Sequence, residues 1–216
     1  MKIDYRGKFK AQLQENILKV RDEIDNSDFV FKITNHADKY DRDFNEVRSK
    51  ILTDDFFAET FAKDPAKQNI YEKLAAEYVN SIECVNDFKN LANSSKMFVI
   101  NGEITDQRLN DVKSIDFTFN LVVNEIKYNF YCSHKYIKAL NGGAQDNQYN
   151  DIRNFLRNCD KKSEGNNYFI AICDGPYFTS KIETLNNDFG SNNVITLTID
   201  ELEDYLLNII KEKTLS

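Results

Sequence analysis

The sequence lacks tryptophan altogether and holds only two prolines and seven glycines among its 216 residues. So few prolines and glycines leave no Pro/Gly-rich linker, and neither an internal repeat nor a low-complexity tract is visible. The first residues, MKIDYRGKFK, contain no apolar signal segment, and no run of 18 apolar residues occurs anywhere. These absences argue against a standard secretory signal and a membrane-spanning helix. We therefore expect a cytoplasmic protein whose aromatic core consists of Phe and Tyr.

Cysteine and positive charge are scarce as well. The four cysteines have neither CxxC nor zinc-ligand spacing, so a structural zinc site is not expected. Three of them stand in apolar patterns typical of buried thiols in a reducing cytosol. The net charge of −7 argues against a protein that coats nucleic acid through bulk positive charge. It leaves room for an enzyme that combines a local basic patch with metal-binding carboxylates.

The two halves of the chain differ in their hydrophobic period. Apolar residues recur at helical spacing over residues 9–24 and again over about 66–91, which predicts two long helices. From residue 97 onward the period changes to that of strands. We expect an α/β fold in which residues 1–96 form a helical N-terminal region for DNA recognition or dimerisation. Residues 97–216 would form the catalytic core.

The second half predicts a mixed β-sheet flanked by helices. A strand ends at the Asn101-Gly102 turn, and two alternating strands joined at Asn124-Glu125 form a hairpin. A nearly continuous apolar run has the pattern of a central strand covered on both faces. A Ser/Thr-x-x-Glu capping box at Thr198 and Glu201 opens the last helix. In chain order the predicted elements are strands 97–100, 114–123 and 126–134, helix 145–159, strands 167–173 and 194–197, and a C-terminal helix.

The predicted hairpin places one acidic and one basic side chain on the same face. If Val123 faces Ile126, paired residue numbers sum to 249 and Asp116 lies opposite Ser133. Lys135 follows on that face, roughly 6.6 Å further along the strand. Such an arrangement suits a metal-dependent phosphodiesterase, in which the aspartate holds Mg²⁺ and the lysine stabilises charge or positions water. A strand Asp beside a strand Lys is also commonplace without any catalytic role.

Residues 113–207 resemble the PD-(D/E)XK nuclease superfamily, in particular the FokI-type cleavage domain of Type II restriction enzymes. Five segments that resemble family motifs occur in the family order: Ile115-Asp116, the SHKY of 133–136, the NGGAQDNQYNDI of 141–152, the YFIAICDGPYF of 168–178 and the VITLTIDELEDYLL of 194–207. The resemblance implies a Mg²⁺-dependent restriction endonuclease that hydrolyses double-stranded DNA. Cutting two strands usually requires two active sites, so it also implies a homodimer.

The resemblance assigns roles to particular residues. Asp116 would bind the metal and Lys135 would stabilise the transition state. The second acid of the family falls at Ser133, whose uncharged hydroxyl is a weak Mg²⁺ ligand. Asp146, at the start of the following helix, is the first candidate to replace that acid in the metal site. An acidic residue there is also favoured by the helix dipole alone.

Other residues are candidates for contacts with DNA or for the outer part of the metal site. Gln145 and Gln148 could hold water or phosphate, and Glu77 and Glu83 could be outer ligands if the long helix before the sheet reaches the site. Phosphate contacts are expected from Lys138, Arg153 and Arg157, although ordinary surface charge is the alternative interpretation.

Two kinds of alternative remain open. Asp116, Glu125 and Lys127 also match the D…E-x-K pattern, but they require a turn at Asn120-Leu121 inside an apolar alternation, so turn chemistry favours Lys135. His134 points away from Lys135 in either case and is expected to be structural. On function, the chain could be the cleavage module of a larger enzyme. It could also be a degenerate nuclease fold for DNA binding or assembly, a hypothesis that Ser133 supports.

Overall fold

The computed structural model describes residues 2–91, 96–107, 112–138, 143–159 and 165–215. The chain forms two compact units. Asp4–Ile70 makes up the helical unit, and the first three residues together with Tyr71–Ser216 make up the sheet unit. The compact units divide after residue 70, and the functional division after residue 96 stays a prediction. None of the described helices is long and apolar enough to cross a membrane.

The helical unit is a small bundle whose aspartates begin its helices. Asp4, Asp43, Asp54 and Asp64 each accept a hydrogen bond from a backbone N–H of the turn that follows, which is the N-cap interaction. The acidic stretches of this half are thereby explained by local structure. A buried cluster that includes Ile33 and Ile51 forms the core. The elements are α1 (Tyr5–Asp22), α2 (Ser27–Lys39), α3 (Phe44–Thr53), α4 (Asp55–Glu59) and a 3₁₀ turn (Pro65–Gln68).

The sheet unit begins with a helix that is shorter than predicted. The helix expected to reach residue 91 ends at Ser81, and an edge strand follows it. That strand pairs with a partner about thirty residues further along, and its Phe88 packs against Phe117 at 5.9 Å. Such non-local pairing overrides a local helical period. The elements are α5 (Ile70–Ser81), β1 (Asn86–Asn90), β2 (Phe98–Ile100), β3 (Glu103–Thr105), β4 (Phe117–Val123), β5 (Ile126–Tyr136), α6 (Gly143–Asn158), β6 (Asn167–Asp174), α7 (Ile182–Phe189), β7 (Val194–Leu197) and α8 (Ile199–Leu215).

Five strands form one mixed sheet in the order β1-β4-β5-β6-β7. The pairs β1/β4 and β4/β5 are antiparallel, whereas β5/β6 and β6/β7 are parallel. Strands β2 and β3 form a separate hairpin around the predicted Asn101-Gly102 turn. The α/β fold class, the mixed sheet and the helical N-terminal region are confirmed.

The β4–β5 hairpin has the predicted register. Every pair from Phe117↔Cys132 to Val123↔Ile126 sums to 249. The turn residues Asn124 and Glu125 have positive φ values of 51° and 65°, as both central residues of a type I′ turn require. The alternative register, which would bring Glu125 opposite Asp116 with Lys127 two residues further on, is therefore wrong.

The two faces of the sheet are covered by different side chains. On one face, Phe119 and Phe130 stack with ring centroids 4.9 Å apart. On the other, apolar residues of α6 such as Phe155 join Phe169 and Cys173 of β6 in the main core cluster. Three of the four cysteines are buried free thiols, as expected. Burial raises the pKa of each of these three thiols: Cys132, Cys159 and Cys173.

Helix α8 begins with the predicted capping box. The Glu201 carboxylate accepts hydrogen bonds from both the backbone N–H and the hydroxyl of Thr198, each at 2.8 Å. This arrangement satisfies a donor that the helix itself cannot pair and fixes where the chain turns from β7 into α8.

Candidate active site

Asp116 lies immediately before β4 and continues the register of the hairpin. Its backbone N–H donates to the Cys132 carbonyl at 2.8 Å, which keeps Asp116 opposite Ser133. The residue is only 7% exposed, so its carboxylate depends on protein partners. Atom Oδ2 accepts the His134 backbone N–H at 2.8 Å, and atom Oδ1 accepts the Lys113 ammonium at 2.5 Å. Asp116 is thus a buried carboxylate held from two sides.

Ser133 is fully buried and donates its hydroxyl to Asp116 Oδ2 at 3.3 Å. The residue stands where the resemblance places a second acid. Because a hydroxyl carries no charge, Ser133 supports the Asp116 carboxylate and adds nothing to the negative charge of the site.

Lys135 continues along the same strand and is partly exposed. Its Nζ atom lies 3.3 Å from Asp151 Oδ2 on helix α6, and 23% of its side chain is accessible to solvent. Asp151 was not recognised in the sequence. The available signal was its position directly before Ile152, a residue of the buried stripe of α6. Asp151 therefore holds the lysine side chain between β5 and α6.

Glu72 is a further acid that sequence reasoning missed. Burial raises the pKa of its carboxyl, and the negative charge of Asp116 raises it further. The positive charges of Lys113 and Lys135 act in the opposite direction. Glu72 therefore belongs electrostatically to the same group of side chains. Helical spacing could have indicated this residue. Glu72 stands one turn before the buried residues Ala75, Ala76 and Val79 and therefore lies on the same side of the helix.

The acids proposed from the sequence make no described contact with Asp116 or Lys135. Glu77 is exposed on α5, and Glu83 follows the end of that helix. Asp146 is exposed at the start of α6 and accepts a hydrogen bond from the Tyr177 hydroxyl at 3.2 Å. Of the acids in the described part of the chain, Asp151 forms an ion pair with Lys135, and Glu72 is coupled to Asp116 electrostatically; Asp146 shows neither relationship.

The candidate DNA contacts are dispersed along the unit. Lys138 is exposed, Gln148 is half-buried and Arg157 is exposed on α6. The guanidinium of Arg153 lies 5.9 Å from the ring centroids of both Tyr149 and Phe189, which gives it a packing role. The side chain of Gln145, together with Asn141 and Gly142 of the glycine-rich segment, lies outside the described residues.

A polar cleft of about 330 Å³ opens beside these groups. Lys113 and Asp151, the partners of Asp116 and Lys135, both line it, together with Lys96 and Asn154. The cleft therefore gives solvent a route to the side chains that hold Asp116 and Lys135. Its two lysines give it local positive charge, which suits a phosphate group, despite the negative net charge of the chain.

His134 faces the opposite side of the sheet and is structural, as expected. Its Nε2 atom lies 3.3 Å from Asp174 Oδ2, and both side chains are buried. The other carboxylate oxygen of Asp174 accepts the Ile199 backbone N–H at 2.9 Å. This network joins β5, β6 and the beginning of α8, and it fixes the strand that carries Ser133 and Lys135.

The donor set can be tested against Mg²⁺. Within the described ranges, no group of three or more His, Cys, Asp or Glu side chains is arranged to hold a metal. Mg²⁺ commonly needs only one or two carboxylates, with water and substrate phosphate completing its shell. Asp116 and Glu72 are carboxylates of that kind. Burial chiefly, and the negative charge of Asp116 in second place, raise the pKa of Glu72, and a bound divalent cation would favour the ionised form of both acids. The pair fits Mg²⁺ in charge and ligand type.

Comparison with solved structures gives distant similarities, among them those to restriction endonuclease FokI and to protein VC1899. Neither a protein-family model nor a curated protein matches the sequence. The structure of restriction endonuclease FokI is 16% identical at a TM-score of 0.34, with 79% of this chain and 30% of the FokI chain covered. Protein VC1899 from Vibrio cholerae is 14% identical at a TM-score of 0.34, with 94% and 50% covered. The chain thus spans half or less of each of these proteins. Because both TM-scores are low, these similarities do not support a function for this chain. The functional proposal depends on the geometry of the site alone.

Proposed function

We propose that the chain is a Mg²⁺-dependent endonuclease of the restriction-enzyme type that hydrolyses phosphodiester bonds of double-stranded DNA. The observation that carries the proposal is the register of the β4–β5 hairpin. It places Asp116 opposite Ser133, with Lys135 two residues further on, beside a polar cleft. A buried carboxylate next to a partly exposed lysine is the pair that metal-assisted phosphoryl transfer requires.

Each residue has a distinct role in this proposal. Asp116 and Glu72 would hold the Mg²⁺ ion, and Glu72 is preferred to Asp146 because of its electrostatic coupling to Asp116. The bound ion would supply Lewis-acid chemistry, lowering the pKa of water and neutralising phosphate charge. Lys135 would stabilise the negative charge that develops on the phosphate, and Asp151 would keep its ammonium in place. Ser133 would fix the orientation of the Asp116 carboxylate.

The cleft supports a nucleic acid as the substrate. Lys96 and Lys113 provide local positive charge for a phosphodiester backbone, independent of base sequence. Lys138 and Gln148 remain candidates for further DNA contacts. A homodimer is proposed because two strands must be cut, and the helical unit is the candidate for recognition or assembly.

One observation favours a second function. Ser133 replaces the second acid of the resembling family, and Asp116 is already neutralised by Lys113. A nuclease fold without activity, used only to bind DNA or to assemble with a partner, would tolerate both features. The same fold could also be the cleavage module of a larger enzyme, which would then cut DNA only after attachment to a recognition domain.

The experiment that tests the proposal is cleavage of supercoiled plasmids in Mg²⁺, in Mn²⁺ and in EDTA, with wild type compared with Asp116→Asn. We expect metal-dependent cleavage by the wild type and at least a 100-fold lower rate for the variant. Intact plasmid in every condition, with DNA binding that neither metal nor Asp116 affects, would overturn the proposal in favour of the binding function. A circular-dichroism spectrum of the variant controls for folding.

A further inference from the structure

Lys113 is held against Asp116 in an unusually protected ion pair. The Lys113 ammonium lies 2.5 Å from Asp116 Oδ1, and the two side chains are only 13% and 8% exposed. The same ammonium also donates to the Ser114 carbonyl at 3.0 Å. In contrast, the ion pair between Lys127 and Asp87 on the same sheet has side chains that are 53% and 65% exposed. The Lys113–Asp116 pair is therefore much less screened by water.

The backbone between the two residues of this pair is bonded to residues of neighbouring segments. Ser114 forms a bridge with Phe98 of β2, and the Ile115 N–H donates to the Met97 carbonyl at 2.8 Å. Asp116 is anchored by its own backbone bond to Cys132. Because these are backbone bonds of Ser114, Ile115 and Asp116, the side chain of Lys113 can change its position without breaking any of them.

The bonds of Asp116 leave one atom for an incoming cation. Oδ2 already accepts the His134 N–H and the Ser133 hydroxyl. Oδ1 accepts Lys113. A divalent cation must therefore use Oδ1, the atom that the ammonium contacts. Two positive groups at one oxygen repel each other, all the more when water is largely excluded.

We propose that Lys113 is the resident counter-ion of Asp116 and competes with the divalent cation for Oδ1. The cation binds when the Lys113 ammonium moves from Asp116 into the cleft that it lines with Lys96 and Asn154. A phosphate group in that cleft is an alternative partner for the ammonium. Phosphate and cation then assist each other's binding, since each favours the state in which Lys113 has left Asp116. The inference rests on the proposed function only in that a cation binds at Asp116.

Isothermal titration of the full chain with Mn²⁺ tests the inference without any measurement of activity. Lys113→Met removes the competing charge, and we expect it to bind Mn²⁺ at least tenfold more tightly than the wild type. Lys96→Met is the matched control, because it removes a lysine of the same cleft that has no described bond to Asp116; its affinity should stay within about threefold of the wild type. Asp116→Asn should abolish the binding in each background.

The outcomes separate the two proposals. If Lys113→Met binds Mn²⁺ no more tightly than Lys96→Met while Asp116→Asn still abolishes binding, the competition is wrong and the nuclease proposal stands. If no variant shows binding that depends on Asp116, both proposals fall. Should Lys113→Met fail to fold, Lys113→Gln gives the same comparison, since it keeps a donor to Asp116 without the charge.

Discussion

The Ser133 hydroxyl lies 3.3 Å from Asp116 Oδ2, at the position where the resembling nucleases carry their second acid. Because the Ser133 hydroxyl is uncharged, the hairpin supplies the site with one carboxylate, that of Asp116. In the proposed site, Glu72 of α5 would provide the second negative charge from outside the hairpin. The arrangement depends on the register of the β4–β5 hairpin, which brings Asp116 opposite Ser133.

Ser133→Asp places a second carboxylate in a fully buried position beside Asp116. In EDTA we expect the free energy of unfolding to fall by roughly 3–5 kcal/mol, because the new charge is buried without a partner. Mg²⁺ should restore much of the loss by binding between the carboxylates. Ser133→Asn, which has nearly the same shape and no charge, is the control. Chemical denaturation with and without Mg²⁺ checks this, and an equal, metal-independent loss in both variants would contradict it.

Glu72→Gln should stabilise the metal-free protein at neutral pH. The folded protein raises the Glu72 pKa above its ordinary value of 4.5, chiefly through burial, so the ionised form destabilises the fold. This penalty is absent below pH 4.5 and grows as the pH rises through the folded pKa. We expect a gain in Tm of no more than about 2–4 °C at pH 7.5, since water screens the half-buried group. Thermal unfolding in EDTA from pH 4 to 8 measures it, and a gain that is independent of pH would exclude this cause.

Asp151→Asn should lower the cleavage rate more than Asp146→Asn does. The Asp151 carboxylate is the described partner of Lys135, whereas Asp146 is bonded to Tyr177. Loss of the charge that positions Lys135 should reduce kcat about tenfold or more with little change in KM, because a misplaced catalytic group slows the chemical step. Steady-state kinetics on a short DNA duplex compare the two variants. If Asp146→Asn lost more cleavage activity than Asp151→Asn, the result would favour Asp146 as the second acid of the metal site.

Glu125→Gly should stabilise the sheet unit. Glu125 has a φ of 65°, a conformation in which glycine avoids the steric cost of a side chain, and Asn-Gly is a favoured type I′ turn. We expect a gain of about 0.5–1 kcal/mol in the free energy of unfolding. Val122→Gly, at an exposed position of β4 outside the turn, should destabilise by a similar amount. Urea denaturation checks both, and destabilisation by Glu125→Gly would contradict the turn.

The local features of the site could be predicted from the sequence, but the way in which side chains from different segments meet at the site could not. The register of the hairpin follows from the alternation of β4 and β5 and from the Asn124-Glu125 turn, because both signals are local. The length of the helix before the sheet could not be predicted, since β1 forms only by pairing with a distant strand. Lys113 lies only three residues before Asp116, but its segment is held by bonds to Phe98 and Met97, which the sequence does not indicate. Asp151 reaches Lys135 because α6 packs against β5, and that contact is not encoded by any spacing in the sequence either.

The most direct test of the central claim compares two lysines of one strand. Lys135 belongs to the register seen in the structure, and Lys127 belongs to the alternative D…E-x-K pattern. Plasmid cleavage in Mg²⁺ by Lys135→Ala should be at least 100-fold slower than by the wild type, whereas Lys127→Ala should stay within about twofold, because the Lys127–Asp87 pair is exposed. Loss of cleavage in Lys127→Ala with normal cleavage in Lys135→Ala would contradict the account.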